Sequence, residues 1–174
     1  MMAENEHLII NSNGEIEDEF PVAVIDTSYL ISAILNNFVD DESKAAANYI
    51  EDLISKNGQI VVPQIFWFEI GNVILNAAKT KKNGSSARIS KIQLLKIEQL
   101  ISELPIYTDL QPDSETRTRI REIAQEFDLS YYDASYLELA IRKDLTLKTF
   151  DKKLLGRLQN HLIAEIVLIQ CHNV

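Results

Sequence analysis

The sequence predicts an α/β fold of three layers, helices on both faces of a central, mostly parallel sheet. Three observations carry that prediction. Short apolar runs alternate with amphipathic, helix-like stretches along almost the whole chain. The run at 22–25, Val-Ala-Val-Ile, is apolar without alternation, the pattern of a strand buried on both faces. Two of the strand-like runs end beside an acid, Asp26 and Asp151, where open α/β sheets place a ligand crevice.

Residues 1–20 are polar and acidic, with an apolar trio at 8–10 and a turn signal at Asn13-Gly14. They read as an acidic arm or a small hairpin, and 21–174 as one further domain. After the strand at 22–25, apolar residues at Leu30, Ile31, Ile34 and Leu35 give helical spacing over 27–36. Ala46, Ala47, Ile50, Leu53 and Ile54 repeat it over 43–56, and Asn57-Gly58 stops it. A second strand covers 59–62. Pro63 closes it and suits the first turn of a helix running to 78. KTKKNGSS at 79–86 is a loop, followed by a helix over 87–103 that Pro105 terminates. A strand at 106–108, a charged helix at 113–127 and a Ser130-capped helix at 131–142 come next. A strand at 145–149, a short helix at 152–159 and a strand at 164–169 complete the pattern.

The chain has 174 residues, 46% of them hydrophobic, enough for a substantial core. Its net charge of −9 opposes broad, sequence-independent adhesion to a polyanion, although a local basic strip remains compatible. One cysteine, Cys171, excludes a disulfide framework and a cysteine-based metal site, which fits a reducing, cytoplasmic setting. The amino terminus lacks the basic and apolar regions of a signal peptide, and no apolar run is long enough for a membrane helix.

Four acids stand in awkward places. Asp26 follows a buried strand, and its ordinary role is a helix N-cap. Glu69, inside IFWFEIGNVIL, has Phe66 and Val73 as helical neighbours and so borders an apolar face. Its ordinary role is a half-exposed rim glutamate. Asp133, in SYYDASYLELA, aligns with Leu137 and Ala140, yet Ser130-x-x-Asp133 also resembles a capping box. Asp151 repeats the strand-end position of Asp26 and is also a candidate cap, with Thr149 on the same side of the strand. In a parallel sheet these points converge at one edge. Four carboxylates gathered there repel one another unless divalent cations neutralise them. Oxygen ligands without His or Cys suit Mg²⁺ or Mn²⁺ rather than zinc, and His7, His161 and His172 form no ligand pattern.

VIDTSYL at 24–30, PQIFWFEIGNVIL at 63–75, LSYYDASYLELA at 129–140 and LKTFDKKL at 147–154 together resemble the PIN-domain ribonucleases, and within them the VapC-type toxins of toxin–antitoxin pairs. The resemblance covers about Val22 to the end. It implies a three-layer α/β/α PIN-like fold, a nuclease domain over 21–174, and Mg²⁺- or Mn²⁺-dependent cleavage of RNA. It places the metal-binding, catalytic acids on Asp26, Glu69, Asp133 and Asp151, with polar helpers at Ser28 and Thr149. Asp26 and Asp133 are the principal pair. The acidic arm and the low pI, about 4.8, depart from a compact toxin.

RNA must reach an acidic crevice past flanking cations. Candidates are Lys79, Lys81, Lys82 and Arg88 on one side and Lys148, Lys152 and Lys153 on the other, although charged loops are ordinarily just solvated. Single-stranded or loop RNA is the expected form, and Tyr131, Tyr132 and Tyr136 are candidates for base stacking, with packing the ordinary role for at least two of them. Phe66, Trp67 and Phe68 in succession leave at least one aromatic near the surface. The resemblance implies an antitoxin partner in an apolar groove and a homodimer. A non-catalytic PIN-like binding module is the alternative, and phosphoryl transfer on Asp26 is a weaker one, because Thr27-Ser28 stands where a second acid is needed.

Overall fold

The computed structural model describes residues 9–10, 16–17, 20–35, 40–79 and 87–159. β1 (Ile9–Ile10) and β2 (Ile16–Glu17) pair antiparallel; Asn13-Gly14 lies outside the described residues. The strand expected at 164–169 lies outside them as well.

The main sheet starts with β3 (Val22–Ile25), where Ala23, Val24 and Ile25 are all fully buried. Its run of apolar side chains leaves neither face for water, so helices must cover both. α1 (Thr27–Leu35) and α2 (Asp41–Ser55) lead to β4 (Gln59–Pro63). Asp40 caps α2 by accepting from the Ser43 amide at 2.7 Å, which starts that helix two residues before the apolar periodicity does. Gly58 makes the turn between them. A Cβ there would meet the Pro21 carbonyl oxygen at 2.4 Å and that of Leu53 at 2.7 Å, so only glycine lets the three backbones close up.

α3 (Phe66–Ala78) follows β4, and Pro63 corrects the sequence expectation. It is the last strand residue, paired opposite Asp109, and the helix begins three residues later. α4 (Lys91–Glu103) also starts later than its apolar periodicity suggests. Ser90 accepts from the Gln93 amide and Gln93 reaches back to the Ser90 amide, a complete capping box. β5 (Ile106–Asp109), α5 (Ser114–Glu126), α6 (Tyr131–Lys143), β6 (Thr146–Lys148) and α7 (Lys152–Leu158) complete the described elements.

The strand order is β5-β4-β3-β6, and all three pairings are parallel. The chain steps outward from β3 to β5, then returns across the sheet to β6. Right-handed crossovers place α1–α4 on one face and α5–α6 on the other, so the expected three-layer α/β/α architecture is present. α6 is buried nearly all round from Ala134 to Ala140, including Glu138 at 2% exposure. Glu138 accepts from Arg119 Nε at 3.0 Å and from Arg142 Nε at 3.0 and 3.1 Å, so its charge is met by two guanidinium groups.

Candidate functional site

β3 and β6 lie side by side with Ile25 opposite Lys148, so both release their chains at one edge of the sheet. The direction of winding reverses between them, the switch point at which such a sheet opens a crevice.

Asp26 sits at that point. Its amide donates to the Lys148 carbonyl at 3.0 Å, and its own carbonyl accepts from Tyr29 and Leu30 to begin α1. Its side chain reaches beyond a local cap. Oδ2 accepts from Ser28 Oγ at 2.7 Å and from Thr149 Oγ1 at 2.6 Å, the second contact spanning 123 positions of sequence. Each hydroxyl is aimed from behind by a backbone donor, Phe150 N on Ser28 and Asp151 N on Thr149, both at 3.0 Å. The two hydroxyls are themselves 3.3 Å apart, and the shorter contacts to Oδ2 draw both protons to Asp26. Burial nevertheless pushes this carboxyl above its usual range; the two hydroxyls oppose that shift and the charge of Asp151 adds to it.

Glu69 occupies the first turn of α3. Its Oε2 accepts from Tyr136 Oη at 2.5 Å and from Thr27 Oγ1 at 3.1 Å. Those two hydroxyls are themselves 3.0 Å apart. Burial raises the Glu69 carboxyl, and the charges of Asp26 and Asp133 raise it further against the pull of the two hydroxyls. The Tyr136 phenol is raised by burial and by its bond to Glu69, so it stays a donor.

Asp133, in the first turn of α6, accepts from Ser130 Oγ at 2.7 Å while its amide donates to the same oxygen at 3.1 Å. Asp151 caps α7, its Oδ1 accepting from the amides of Lys153 and Leu154. Asp151 thus takes the capping role open to it in the sequence, whereas at Asp133 the cap is Ser130 and the carboxylate meets the Ser130 hydroxyl rather than its amide, so no capping box closes. Asp26, Asp133 and Asp151 line one cleft with Thr149, Tyr136, Leu147 and Leu154, and Glu69 stands behind Tyr136. Among the described residues no three acidic side chains already converge as a ligand cage. The donor set still fits a hard divalent ion: only oxygen ligands, brought to one edge, with two of the carboxyls raised by burial and by neighbouring acids.

Of the expected RNA contacts, Lys79, Arg88, Lys152 and Lys153 are exposed, while Lys81 and Lys82 lie outside the described residues. Lys148 is corrected. It is 4% exposed with its ammonium 4.3 Å from the centre of the Tyr49 ring, and burial lowers its pKa. Strand alternation turns it away from Leu147, which lines the cleft. Phe66 is buried while Trp67 and Phe68 are exposed, as three successive aromatics on a helix require. Tyr136 is buried, whereas Tyr131 and Tyr132 are both exposed, one packed tyrosine rather than two within this chain. The sequence reading missed Thr27 and the role of Tyr136. Their signals were adjacency to Asp26 and the i+3 position from Asp133, on one helix face.

No curated protein matches the chain. PAE2754 from Pyrobaculum aerophilum is similar in structure, with a TM-score of 0.51 and 20% identity over 84% of this chain and 89% of its own. VapC20 of Mycobacterium tuberculosis, a toxin that cleaves the sarcin-ricin loop, is similar with a TM-score of 0.53 and 13% identity, over 78% of this chain and 93% of its own. At these identities the likeness is one of fold. Residues 23–159 match the PIN domain family, and a match over most of the sequence shows that this chain belongs to it.

Proposed function

We propose that the chain is a Mg²⁺- or Mn²⁺-dependent endoribonuclease cutting single-stranded or loop RNA, the toxin of a type II toxin–antitoxin pair. The observation that supports it most is the meeting of Asp26, Asp133 and Asp151 in one cleft, with Glu69 tied to its wall, in a PIN-domain chain. Asp26 and Asp133 are the principal metal ligands in this reading, and Asp151 and Glu69 complete the set. A divalent ion bound there supplies Lewis acidity and a water of lowered pKa for phosphodiester hydrolysis. Ser28 and Thr149 fix the rotamer of Asp26 without cancelling its charge. Asp26 is half-buried, in a cleft that it lines with the fully buried Leu147, which limits the screening of that charge by bulk water.

Substrate phosphates would meet Lys152 and Lys153 first. Lysines in the first turn of a helix oppose its dipole by roughly 0.3–1 kcal/mol each, so α7 gains nothing from them. Lys79 and Arg88 offer a second basic flank, with Lys81 and Lys82 as further proposed contacts. The loop substrate of VapC20 is consistent with an unpaired RNA target here. Phe68 and Leu75 are exposed one heptad apart on α3, with Ile92 and Leu95 exposed on α4, an apolar surface suited to an antitoxin segment or a second copy.

The opposing reading is a non-catalytic PIN-like module. It draws support from Asp133 and Asp151, whose carboxyl oxygens already serve as local hydrogen-bond acceptors. Incubating unstructured RNA with Mn²⁺, and separately with chelator, decides between them. Metal-dependent cleavage lost in Asp26→Asn and Asp133→Asn is the expected result. Cleavage that survives chelation, or full turnover in either variant, overturns the proposal.

A further inference from the structure

We infer that Tyr136 and Thr27 are positioning residues for Glu69, holding one of its carboxylate oxygens so that the other is presented to the cation. The inference rests on the nuclease reading above and adds two residues outside the acids and their helper hydroxyls.

The triangle they form joins three elements. Thr27 opens α1 beside Asp26, Glu69 lies in the first turn of α3, and Tyr136 stands one helical turn after Asp133 on α6. Tyr136 and Thr27 are both buried, so neither hydroxyl has water as a ready alternative. Proton bookkeeping fixes the direction of the bonds. Two hydroxyl protons serve three short contacts, and an ionised Glu69 can only accept. Tyr136 donates to Oε2 at 2.5 Å, the shortest of the three. Thr27 donates to the same oxygen at 3.1 Å or to the phenol at 3.0 Å. Both arrangements pin Oε2. Among the described residues Oε1 accepts no hydrogen bond. Glu69 is thus gripped by one oxygen through neutral donors, which orient the carboxylate and leave its charge in place for the ion. An arginine in the same position would have neutralised it.

Removal of an outer hydrogen bond of this kind lowers metal affinity by about 10- to 100-fold. The test is Mn²⁺ binding to the metal-free protein by titration calorimetry, without RNA, on wild type, Tyr136→Phe, Glu69→Gln and the double variant. Tyr136→Phe is expected to bind Mn²⁺ at least tenfold more weakly, and to add less than roughly twofold to the loss in the Glu69→Gln background. Thr27→Val should weaken binding in the same sense, and Thr27→Ser should restore it, which keeps the idea testable if Tyr136→Phe folds poorly. Equal affinity in wild type and both hydroxyl deletions overturns the positioning role alone. An independent loss of the same size in Tyr136→Phe with and without Glu69 also overturns it. A wild-type protein that binds no Mn²⁺ removes the nuclease reading and this inference together.

Discussion

Asp26→Asn should stabilise the metal-free protein at neutral pH. Both side-chain hydroxyl bonds to Asp26 end on a single oxygen, Oδ2, at 2.7 and 2.6 Å. An asparagine with its amide oxygen there keeps both and loses their charge assistance and that of the Ser28 amide, which also donates to this carboxylate, roughly 1 kcal/mol for each. In exchange it sheds the desolvation cost of a buried carboxylate, several kcal/mol, and its repulsion with Asp151 and Glu69. The net gain is about 1–2 kcal/mol, or roughly 2–8 °C in Tm for a chain of this length. The pH dependence follows from the raised carboxyl. Between its unfolded and folded pKa the native state holds a proton that the unfolded state has released, so wild-type stability falls as pH rises through that window. As pH falls through that window the wild-type carboxyl takes up its proton in the fold and the advantage of asparagine shrinks. Thermal melts in chelator at pH 7.5 and pH 4 measure both points. A variant less stable than wild type at pH 7.5, or equally improved at both pH values, refutes the reasoning.

At Asp151 the cap and the chemistry can be separated. Asp151→Asn should keep the melting temperature and lose cleavage, whereas Asp151→Ala should lose cleavage and also about 1 kcal/mol of stability in urea unfolding, because α7 loses its acceptor for two amides. Glu138→Ala should cost about 2–3 kcal/mol by the same measurement, since it opens a cavity and removes the buried partner of Arg119 and Arg142, which keep Glu115 and Asp109, and Glu138→Gln should cost less. Gly58→Ala should cost about 1–3 kcal/mol, the price of pushing apart two backbone carbonyls, with metal-dependent cleavage per folded molecule unchanged.

The strand at 22–25 was legible in full because burial on both faces leaves an unbroken apolar run, and the observed strand has the same ends. Helix starts were less legible where a polar cap, not periodicity, decides them. The Ser90–Gln93 box begins α4 four residues after the expected start, and Asp40 begins α2 two residues early. The placement of the acids followed from topology once strands and helices were known. The partners of Glu69 did not. Tyr136 lies 67 positions away, and nothing local distinguishes its hydroxyl from that of a core tyrosine. Lys148 looked like a neighbour of Asp151 along the chain, but the two-residue period of a strand sends it to the opposite face, under Tyr49. Glu138, between Leu137 and Leu139, carries no local sign of its burial, which follows from α6 having no solvated face over its middle turns.

α6 shows two treatments of a desolvated carboxylate within two residues of each other. Glu138 receives guanidinium donors from both sides, bonds worth about 1.5–3 kcal/mol each because both partners are charged. That choice maximises stability and consumes the charge. Tyr136 instead gives Glu69 a neutral donor, as Ser28 and Thr149 do for Asp26, and such bonds hold the carboxylate without bringing a positive charge to it. Hydroxyls orient these acids but leave both carboxyls raised, so the fold tolerates an electrostatic deficit at one edge of the sheet that it has removed elsewhere. A purely structural edge would gain stability from a single arginine at the position of Thr149. The use of hydroxyls at Asp26 and Glu69, beside an arginine-saturated Glu138, is the arrangement expected where the missing positive charge is a cation that must come from solution.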